Sequence, residues 1–395
     1  MKKVLILGGG ASGLMAAIQA AGQGASVTVL EHNETPGKKL LATGNGRCNL
    51  TNEALKAEFY HCGRTDFPME VIRQFPLEDT LQFFEKLGIS LKNRRGGYYP
   101  RSEQAASVLE VLRLEADYRK VKIKTREEVT EILPQKKGFL VKTEGWSYPA
   151  DAVVCCLGSP ASGVSGSSST GARLAAGLGH RVIPFAPALV GLRCRGSFSS
   201  WAGIRTEGSV TLWVEDQICA RAEGELQLTE YGISGIPVFQ VSGAAIRASS
   251  EKKKTFLQAD FFPEYSEQEL TALLAKRQED CPYKTSEQLF FGLLPGKLIR
   301  TLFKGVTSLE EAAHRAKSRR LEVLGASSLS QAQVCSGGVS AEEISPETME
   351  SRLVPGLYFA GEVVDVDAAC GGFNLQWAWS SGAVAGINSA KERKI

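Results

Sequence analysis

The sequence predicts an α/β protein whose main domain is a parallel sheet, interrupted by a long insert of strands followed by helices. Three observations lead to this prediction. A glycine-rich loop joins an apolar strand to a helix within residues 4–21. Two later apolar runs, at 152–157 and 357–360, also end at a glycine. Between them, residues 187–333 change to short strand patterns and then to helical patterns.

The first glycine loop lies where a Rossmann-like unit needs it. It has the form Gly-x-Gly-x-x-Gly, from Gly8 to Gly13, directly after the apolar strand at 4–7. Gly8 is expected to allow the tight turn, Gly10 to let a pyrophosphate approach the backbone, and Gly13 to let helix and strand pack closely. The N-terminus of the following helix presents free N–H groups and a positive dipole to the phosphates. The loop therefore predicts a dinucleotide site, with a ligand-free glycine turn as the alternative.

An acidic residue ends the second strand of this unit. The strand at 27–30 runs into Glu31, 18 residues after Gly13. A carboxylate at this place accepts hydrogen bonds from a ribose diol and disfavours a 2′-phosphate. His32 follows it and is expected near the adenine or ribose, with an ordinary loop position as the alternative.

A second nucleotide-binding segment is predicted near the other end of the chain. The strand at 357–360 runs into Gly361 and Glu362, and residues 372–376 open an apolar helix. An acid after a glycine suits the ribityl hydroxyls of FAD, and a helix N-terminus suits the flavin edge that gathers negative charge. Gly158, after the strand at 152–157, marks where the chain passes beside the dinucleotide. The alternative is an ordinary strand and helix that complete the sheet.

These segments resemble the glutathione-reductase-type FAD fold, although the strand endings Cys156-Leu157-Gly158 and Gly361-Glu362 differ from its usual Ala-Thr-Gly and Gly-Asp. The motif at 38–52 more narrowly resembles the signature of a bacterial NAD(P)/FAD-dependent oxidoreductase family. That family includes aminoacetone-oxidase-like and BaiN-type flavoproteins. Gly337-Gly338-Val339 and the block at 356–382 match the same family.

The motif at 38–52 is expected to lie beside the flavin. Its loop at 43–46 is expected to bring backbone N–H groups close to the isoalloxazine, and its asparagines to hydrogen-bond the polar edge of the ring. Its cations Lys38, Lys39 and Arg47 are expected to stabilise phosphate or reduced flavin, with a surface or structural charge as the alternative for each. The resemblance adds Val129 near adenine and Thr170 near FAD. The predicted cofactor-binding residues are Gly8, Gly10, Ala11, Ser12, Gly13, Glu31, His32, Lys38, Lys39, Thr43, Gly44, Asn45, Asn49, Val129, Gly158, Thr170, Gly361, Glu362, Gly372, Phe373, Asn374, Leu375 and Gln376.

The sequence assigns no catalytic acid or base. Cys370 is the single catalytic candidate, since a thiol at a helix N-terminus has a lowered pKa; a small core residue is the alternative. Tyr99 and Arg101 are expected to pack on a hairpin rather than to line the active site. A second glycine fingerprint for NAD(P)H is missing, so NAD(P)H is expected only as a transient electron donor. FAD itself is expected to be bound non-covalently.

Composition excludes several other classes. The net charge of +3 comes from 46 basic and 43 acidic residues that are interspersed, so nucleic acid is not a predicted partner. No apolar stretch approaches ~20 residues, so no membrane partner is predicted either. The nine cysteines and four histidines lack metal-ligand spacing, and no metal is expected. Without an export signal, the chain is expected in the cytoplasm with free thiols.

The remaining elements follow from periodicity and caps. Ser266 is a predicted N-cap with Glu269 as its capping-box partner. Helices are predicted at 69–75, 77–87, 103–118 and within 266–324, and strands at 121–124, 138–142, 190–194, 210–214 and 255–259.

The predicted domains are a discontinuous FAD-binding domain at 1–186 and 334–395, a β-barrel-like insert at 187–262 and a helical insert at 263–333. The expected function is an FAD-dependent oxidoreductase that transfers a hydride between flavin and a small organic substrate. A carbonyl or a conjugated alkene of the steroid or bile-acid type, with NAD(P)H as donor, fits the resemblance. An amine or aminoketone oxidase using oxygen and a non-catalytic flavin-binding interaction protein remain alternatives.

Overall fold

A computed structural model describes residues 1–392, and the chain divides into two compact units. The first unit comprises Met1–Ala186 together with the chain from Val334 onward, and the second comprises Pro187–Gln333. Each unit has a hydrophobic core of its own.

The strands differ in length from two to thirteen residues. They are β1 (Lys3–Leu7), β2 (Ser26–Glu31), β3 (Thr51–Asn52), β4 (Tyr60–His61), β5 (Leu91–Arg94), β6 (Gly97–Pro100), β7 (Lys122–Thr125), β8 (Val129–Pro134), β9 (Phe139–Thr143), β10 (Ser147–Ala150), β11 (Ala152–Cys155), β12 (Val182–Ala188), β13 (Leu192–Cys194), β14 (Arg205–Val214), β15 (Gln217–Thr229), β16 (Gly232–Gly235), β17 (Thr255–Asp260), β18 (Arg319–Ala326), β19 (Val334–Val339), β20 (Leu357–Phe359) and β21 (Asp367–Ala368).

The α-helices are α1 (Ala11–Gly22), α2 (Lys38–Ala42), α3 (Phe67–Ile72), α4 (Leu77–Lys86), α5 (Ala105–Tyr118), α6 (Thr170–Gly177), α7 (Ile236–Ser250), α8 (Glu267–Asp280), α9 (Gly296–Leu302), α10 (Leu309–Lys317) and α11 (Phe373–Ala390). Among the described residues, no helix combines the length and apolar character needed to cross a membrane.

The first unit is built on a five-stranded parallel sheet with the order β20-β11-β1-β2-β7. The central strands β1 and β11 are almost entirely buried, as expected for parallel strands covered on both faces. Because the strands are parallel, the glycine loop after β1, Glu31 at the end of β2, Gly158 and Gly361 all lie at the carboxyl edge of one sheet.

Two helices from opposite ends of the chain pack against each other in this unit. Gly382 of α11 lies so close to α1 that an added Cβ would come 2.5 Å from the Ser12 carbonyl oxygen. An added Cβ at Gly386 would overlap the carbonyl oxygen of Ala16. The two glycines therefore allow the backbones of α1 and α11 to approach more closely than larger side chains permit.

The second unit is a closed antiparallel barrel with the order β13-β16-β15-β14-β17-β18, accompanied by α7 to α10. Its core contains Leu212 of β14, Leu226 of β15 and Leu257 of β17. The predicted α/β fold with a Rossmann-like domain and an inserted barrel is confirmed. The capping box is also confirmed, because Ser266 Oγ accepts from Glu269 N–H while Ser266 N–H donates to the Glu269 carboxylate.

Two elements of the second unit differ from the sequence prediction. The expected helical character up to Leu324 is wrong, because residues from Arg319 onward form β18, which closes the barrel. Buried Leu321 and Val323 alternate there with exposed neighbours, which is the period of a strand. Helix α7 was not predicted and lies within the segment expected to contain only strands.

Candidate active site

The glycine loop has the geometry that its sequence predicts. Gly8 has a φ of +95°, and an added Cβ would come 2.5 Å from the Cys156 carbonyl oxygen. An added Cβ at Gly13 would overlap the carbonyl oxygen of Gly8, whereas one at Gly10 would meet no atom within 4 Å. Gly8 and Gly13 are therefore required for packing, and Gly10 leaves open space in front of the first turn of α1. That turn has no side-chain cap, so its N–H groups point towards this space.

Two predicted residues of the loop contribute backbone rather than side chain. Ser12 is buried, and its hydroxyl donates to the Ala360 carbonyl oxygen at 3.4 Å. This bond ties α1 to the end of β20. Ala11 and Ser12 therefore have their main-chain N–H groups available for an anion at the helix N-terminus.

Glu31 is a buried carboxylate aimed at the glycine loop. Only 4% of the residue is exposed, and its Oε2 accepts from Gly9 N–H at 2.8 Å. Its Oε1 accepts from the backbone and side-chain N–H groups of Asn33 at 2.8 and 2.9 Å. These bonds hold the carboxylate in place and leave lone pairs for further donors. Asn33 was not singled out from the sequence, and its only signal was a polar side chain two residues after the acid.

The segment after β11 lies against the same end of the site. Ser165 Oγ donates to the Asn33 side-chain oxygen at 3.2 Å, and an added Cβ at Gly166 would overlap the His32 ring. His32 Nε2 and the hydroxyls of Ser162 and Ser167 are buried and have no hydrogen-bond partner among residues 1–392. The unpartnered atoms of His32 and of Ser167, the residue after Gly166, fit a site that binds a polar ligand.

Val129, Gly158 and Thr170 are three further residues predicted to bind the cofactor. The chain before Val129 is tied to the end of β2, since Glu127 N–H donates to the Glu31 carbonyl oxygen at 3.0 Å. Gly158 has a φ of +70° and no atom within 4 Å of an added Cβ. Thr170 begins α6 and donates its N–H to Ser168 Oγ at 3.3 Å.

Lys39 and Glu362 form an ion pair with each other. Lys39 Nζ lies 2.6 Å from Glu362 Oε2, which also accepts from Ser159 Oγ at 3.0 Å. The pair joins α2 to the turn after β20, and 29% and 21% of the two side chains remain exposed. Lys38 is half-buried, and its side chain forms no hydrogen bond or ion pair within the described part of the chain.

The motif at 43–52 begins with a left-handed stretch of backbone. Gly44, Asn45 and Gly46 have φ values of +56°, +54° and +82°. This conformation is unfavourable for residues other than glycine, but less so for Asn, because its side chain can hydrogen-bond to the nearby backbone. Thr43 Oγ1 donates to the Leu40 carbonyl oxygen at 2.7 Å, which places its hydroxyl at the end of α2. Gly44 and Asn45 are exposed.

The end of this motif meets the start of α11. Asn52 Nδ2 donates to the Gly371 carbonyl oxygen at 2.9 Å. Gly372 has a φ of +100°, and an added Cβ would come 3.0 Å from Asn49 Oδ1. Asn49 Oδ1 is buried and has no hydrogen-bond partner among the described residues. Two motifs that are more than 300 residues apart therefore form one polar surface around Asn49.

Four predicted side chains at the start of α11 pack within the protein instead. The Gln376 amide is fully buried and donates to Phe75 O, Thr80 Oγ1 and Ser380 Oγ. The Asn374 amide bonds the backbone of Ala368, and the Phe373 ring stacks on Phe59 at 4.7 Å. The neighbouring Leu375 packs against the core. The backbone N–H groups of this helix turn remain available for a cofactor.

Cys370 does not have the properties of the predicted thiolate. Burial raises the pKa of its thiol, whereas the sequence led us to expect a lowered pKa. The physical reason is that α11 begins three residues later, after Gly371 and Gly372, so the thiol is not at the helix N-terminus. Tyr99 lies close to this thiol, and burial together with Cys370 raises the pKa of the phenol.

Comparison with known proteins identifies the family. Residues 2–388 match the family model described as the HI0933-like protein Rossmann domain. The chain belongs to this family. The chain is 42% identical to the 3-dehydro-bile acid delta(4,6)-reductase of Clostridium scindens, over 99% of this chain and 100% of the relative. It is 28% identical to the ribosomal RNA dihydrouridine synthase of Haemophilus influenzae, over 98% of each chain.

Solved structures agree with the fold. The 3-ketosteroid delta1-dehydrogenase of Sterolibacterium denitrificans has a TM-score of 0.55 at 12% identity, covering 99% of this chain and 100% of that one. At this identity the similarity shows the fold alone. The predicted family resemblance is confirmed, and with it the prediction of an oxidoreductase of the flavoprotein class.

Proposed function

We propose that the chain is an FAD-dependent reductase of a carbon–carbon double bond conjugated to a ketone, in an acidic steroid-like molecule. The observation that carries the proposal is 42% identity, over the full length of both chains, to a bile-acid delta(4,6)-reductase. Such a substrate is one of the classes that the sequence already favoured. NAD(P)H is the proposed electron donor.

The fit of FAD rests on residues of this chain. The open space at Gly10 and the first turn of α1 suit a pyrophosphate, and the buried Glu31 carboxylate suits a ribose diol. At the other end, Asn49 Oδ1 and the N-terminus of α11 suit the polar edge of the flavin ring. Bound FAD supplies hydride transfer, while these residues position the ring and the dinucleotide.

Apolar residues of the second unit are proposed to contribute to the choice of substrate. Every nucleotide-binding segment described above lies in the first unit, whereas the barrel and its helices have a separate core. Substitutions of apolar residues in the insert should then change turnover between substrates and leave FAD affinity unchanged.

A second candidate comes from the ribosomal RNA dihydrouridine synthases of Haemophilus influenzae and Escherichia coli, at 28% and 27% identity. Formation of dihydrouridine also reduces a double bond conjugated to a carbonyl group. Bile-acid-type chemistry is favoured because the identity to the reductase is higher, at 42% against 28%.

The test is an anaerobic assay of the purified protein loaded with FAD. It is mixed with NADH or NADPH and then with a 3-oxo-Δ4 steroid acid, and products are identified by mass spectrometry. We expect a product heavier by two hydrogens. Glu31→Ala, which removes the proposed ribose acceptor, should lower flavin content, whereas the exposed Glu34→Ala should not. A protein that reduces uridine in ribosomal RNA but no steroid enone would favour the second candidate.

A further inference from the structure

A pocket lined by arginines lies beside the polar surface around Asn49. Arg47, Arg94, Arg95 and Tyr99 line a cavity of about 370 Å³. Arg47 follows the left-handed stretch of the 43–52 motif, and the other three residues belong to the β5–β6 hairpin and its turn. We call this cavity the arginine pocket.

The arginine pocket adjoins the proposed flavin edge through Gly97. An added Cβ at Gly97 would come 3.0 Å from the Asn49 amide and 3.2 Å from the Tyr99 ring. Asn49 in turn lies against Gly372 at the start of α11. A molecule that occupies the pocket is therefore next to the residues proposed to hold the ring.

The positive charge of the pocket is only partly compensated. Glu103 is shared by Arg94, at 3.0 and 3.1 Å, and by Lys92, at 2.9 Å. Arg47 and Arg95 are exposed, and neither guanidinium forms a hydrogen bond or ion pair within residues 1–392. Glu53, which also lies near this turn, accepts from Asn93 Nδ2 at 3.1 Å. Two guanidinium groups therefore remain available for an external anion.

The donor set matches a carboxylate. A guanidinium offers parallel N–H donors at the spacing of two carboxylate oxygens. The raised pKa of Tyr99 keeps its phenol protonated, so its O–H can donate as well. A polyanion such as nucleic acid requires an extended basic surface. Here the surrounding turn contains Glu53 and Glu103, and the net charge of the whole chain is only +3.

We propose that the arginine pocket binds the carboxylate of the substrate, chiefly through Arg47 and Arg95, and so selects acidic over neutral enones. This inference rests on the proposed function, because it identifies which part of a steroid-like acid the first unit recognises. Nothing in it requires turnover.

The test compares binding of a 3-oxo-Δ4 steroid acid with binding of its methyl ester, which lacks the negative charge and carries one added methyl group. Isothermal titration calorimetry is done on the FAD-loaded protein without reductant. We expect the wild type to bind the acid more tightly. Arg47→Ala and Arg95→Ala should each raise the Kd of the acid about tenfold and leave that of the ester within about twofold. Arg73→Ala, at an exposed arginine that follows α3, is the matched control and should change neither.

Equal binding of acid and ester by the wild type would overturn the proposal, as would equal losses for both ligands in the arginine variants. The proposal would also be overturned if the arginine variants bound the steroid acid like the wild type and were weakened only in binding a ribosomal RNA fragment or NADPH. The protein could bind the acid more tightly than the ester through Arg47 and Arg95 and yet reduce neither ligand. This result would support the carboxylate site and refute the proposed function. The two outcomes are therefore distinguishable.

Discussion

Replacement of Glu31 by alanine removes a buried carboxylate that contacts Gly9, Asn33 and His32 and has one proposed ligand. In the protein without FAD, the substitution leaves Gly9 N–H and Asn33 N–H without their acceptors at 2.8 Å. In the FAD complex it also removes the proposed acceptor of the ribose hydroxyls. A hydrogen bond to a charged group contributes about 1.5–3 kcal/mol. One such bond to FAD corresponds to a Kd increase of about 10- to 150-fold.

The assay titrates FAD into apoprotein and follows the flavin fluorescence. Urea unfolding of the same apoproteins separates the loss of loop structure from the loss of ligand contacts. Glu34→Ala is the control, because that carboxylate is 71% exposed and pairs with the exposed Arg126. Glu31→Gln keeps the shape of the side chain but lacks the charge, so its Kd should lie between those of wild type and Glu31→Ala. A Kd for Glu31→Ala within about twofold of wild type would refute the ribose assignment.

Three further predictions concern packing, pH and the candidate thiol. Gly386→Ala places a Cβ on the Ala16 carbonyl oxygen and should destabilise the protein by about 1–3 kcal/mol in urea unfolding, whereas Gly177→Ala, with no atom near its added Cβ, should be neutral or stabilising. Burial lowers the pKa of His180 below its ordinary 6.5, despite its bond to Glu343, so the folded state binds this proton less readily than the unfolded state. The contribution of neutral His180 to the free energy of unfolding is therefore complete above pH 6.5 and is lost as the pH falls through the lower pKa of the folded state. The urea midpoint of the wild type should fall between about pH 7.5 and 5.5, and that of His180→Gln should fall less. Cys370→Ala should keep steroid turnover within about twofold of wild type. Cys370 should also react with iodoacetamide more slowly than the exposed Cys219, because its raised pKa keeps the thiol protonated. Faster labelling of Cys370 would contradict this prediction.

Features encoded by local sequence were predictable. The glycine loop needs a positive φ at Gly8 and a missing side chain at Gly13, and both requirements are visible as glycines after an apolar strand. Glu31 ends one strand of the parallel sheet and Gly361 comes shortly after another, so their common edge is expected from the strand pattern. The Ser266 capping box is likewise a contact between residues three positions apart.

Features that depend on the rotation of a helix or on distant partners were not predictable. Whether Gln376 faces a cofactor or the interior depends on how α11 is rotated, and three buried polar groups from other segments fix that orientation. The ion pair of Lys39 with Glu362 joins residues 323 positions apart. The arginine pocket combines Arg47 with a hairpin turn, and neither segment alone indicates a cavity.

The close contact of α1 with α11 has a consequence for the order of folding during synthesis. The first unit needs β20 at the edge of its sheet and α11 against α1, and both come from the last forty residues of the chain. The barrel, by contrast, is encoded by the continuous stretch Pro187–Gln333. We therefore expect the barrel to fold on the ribosome while the nucleotide-binding unit still lacks its last strand and helix. A truncation that removes α11 should yield a protein with a protease-resistant barrel and no capacity to retain FAD.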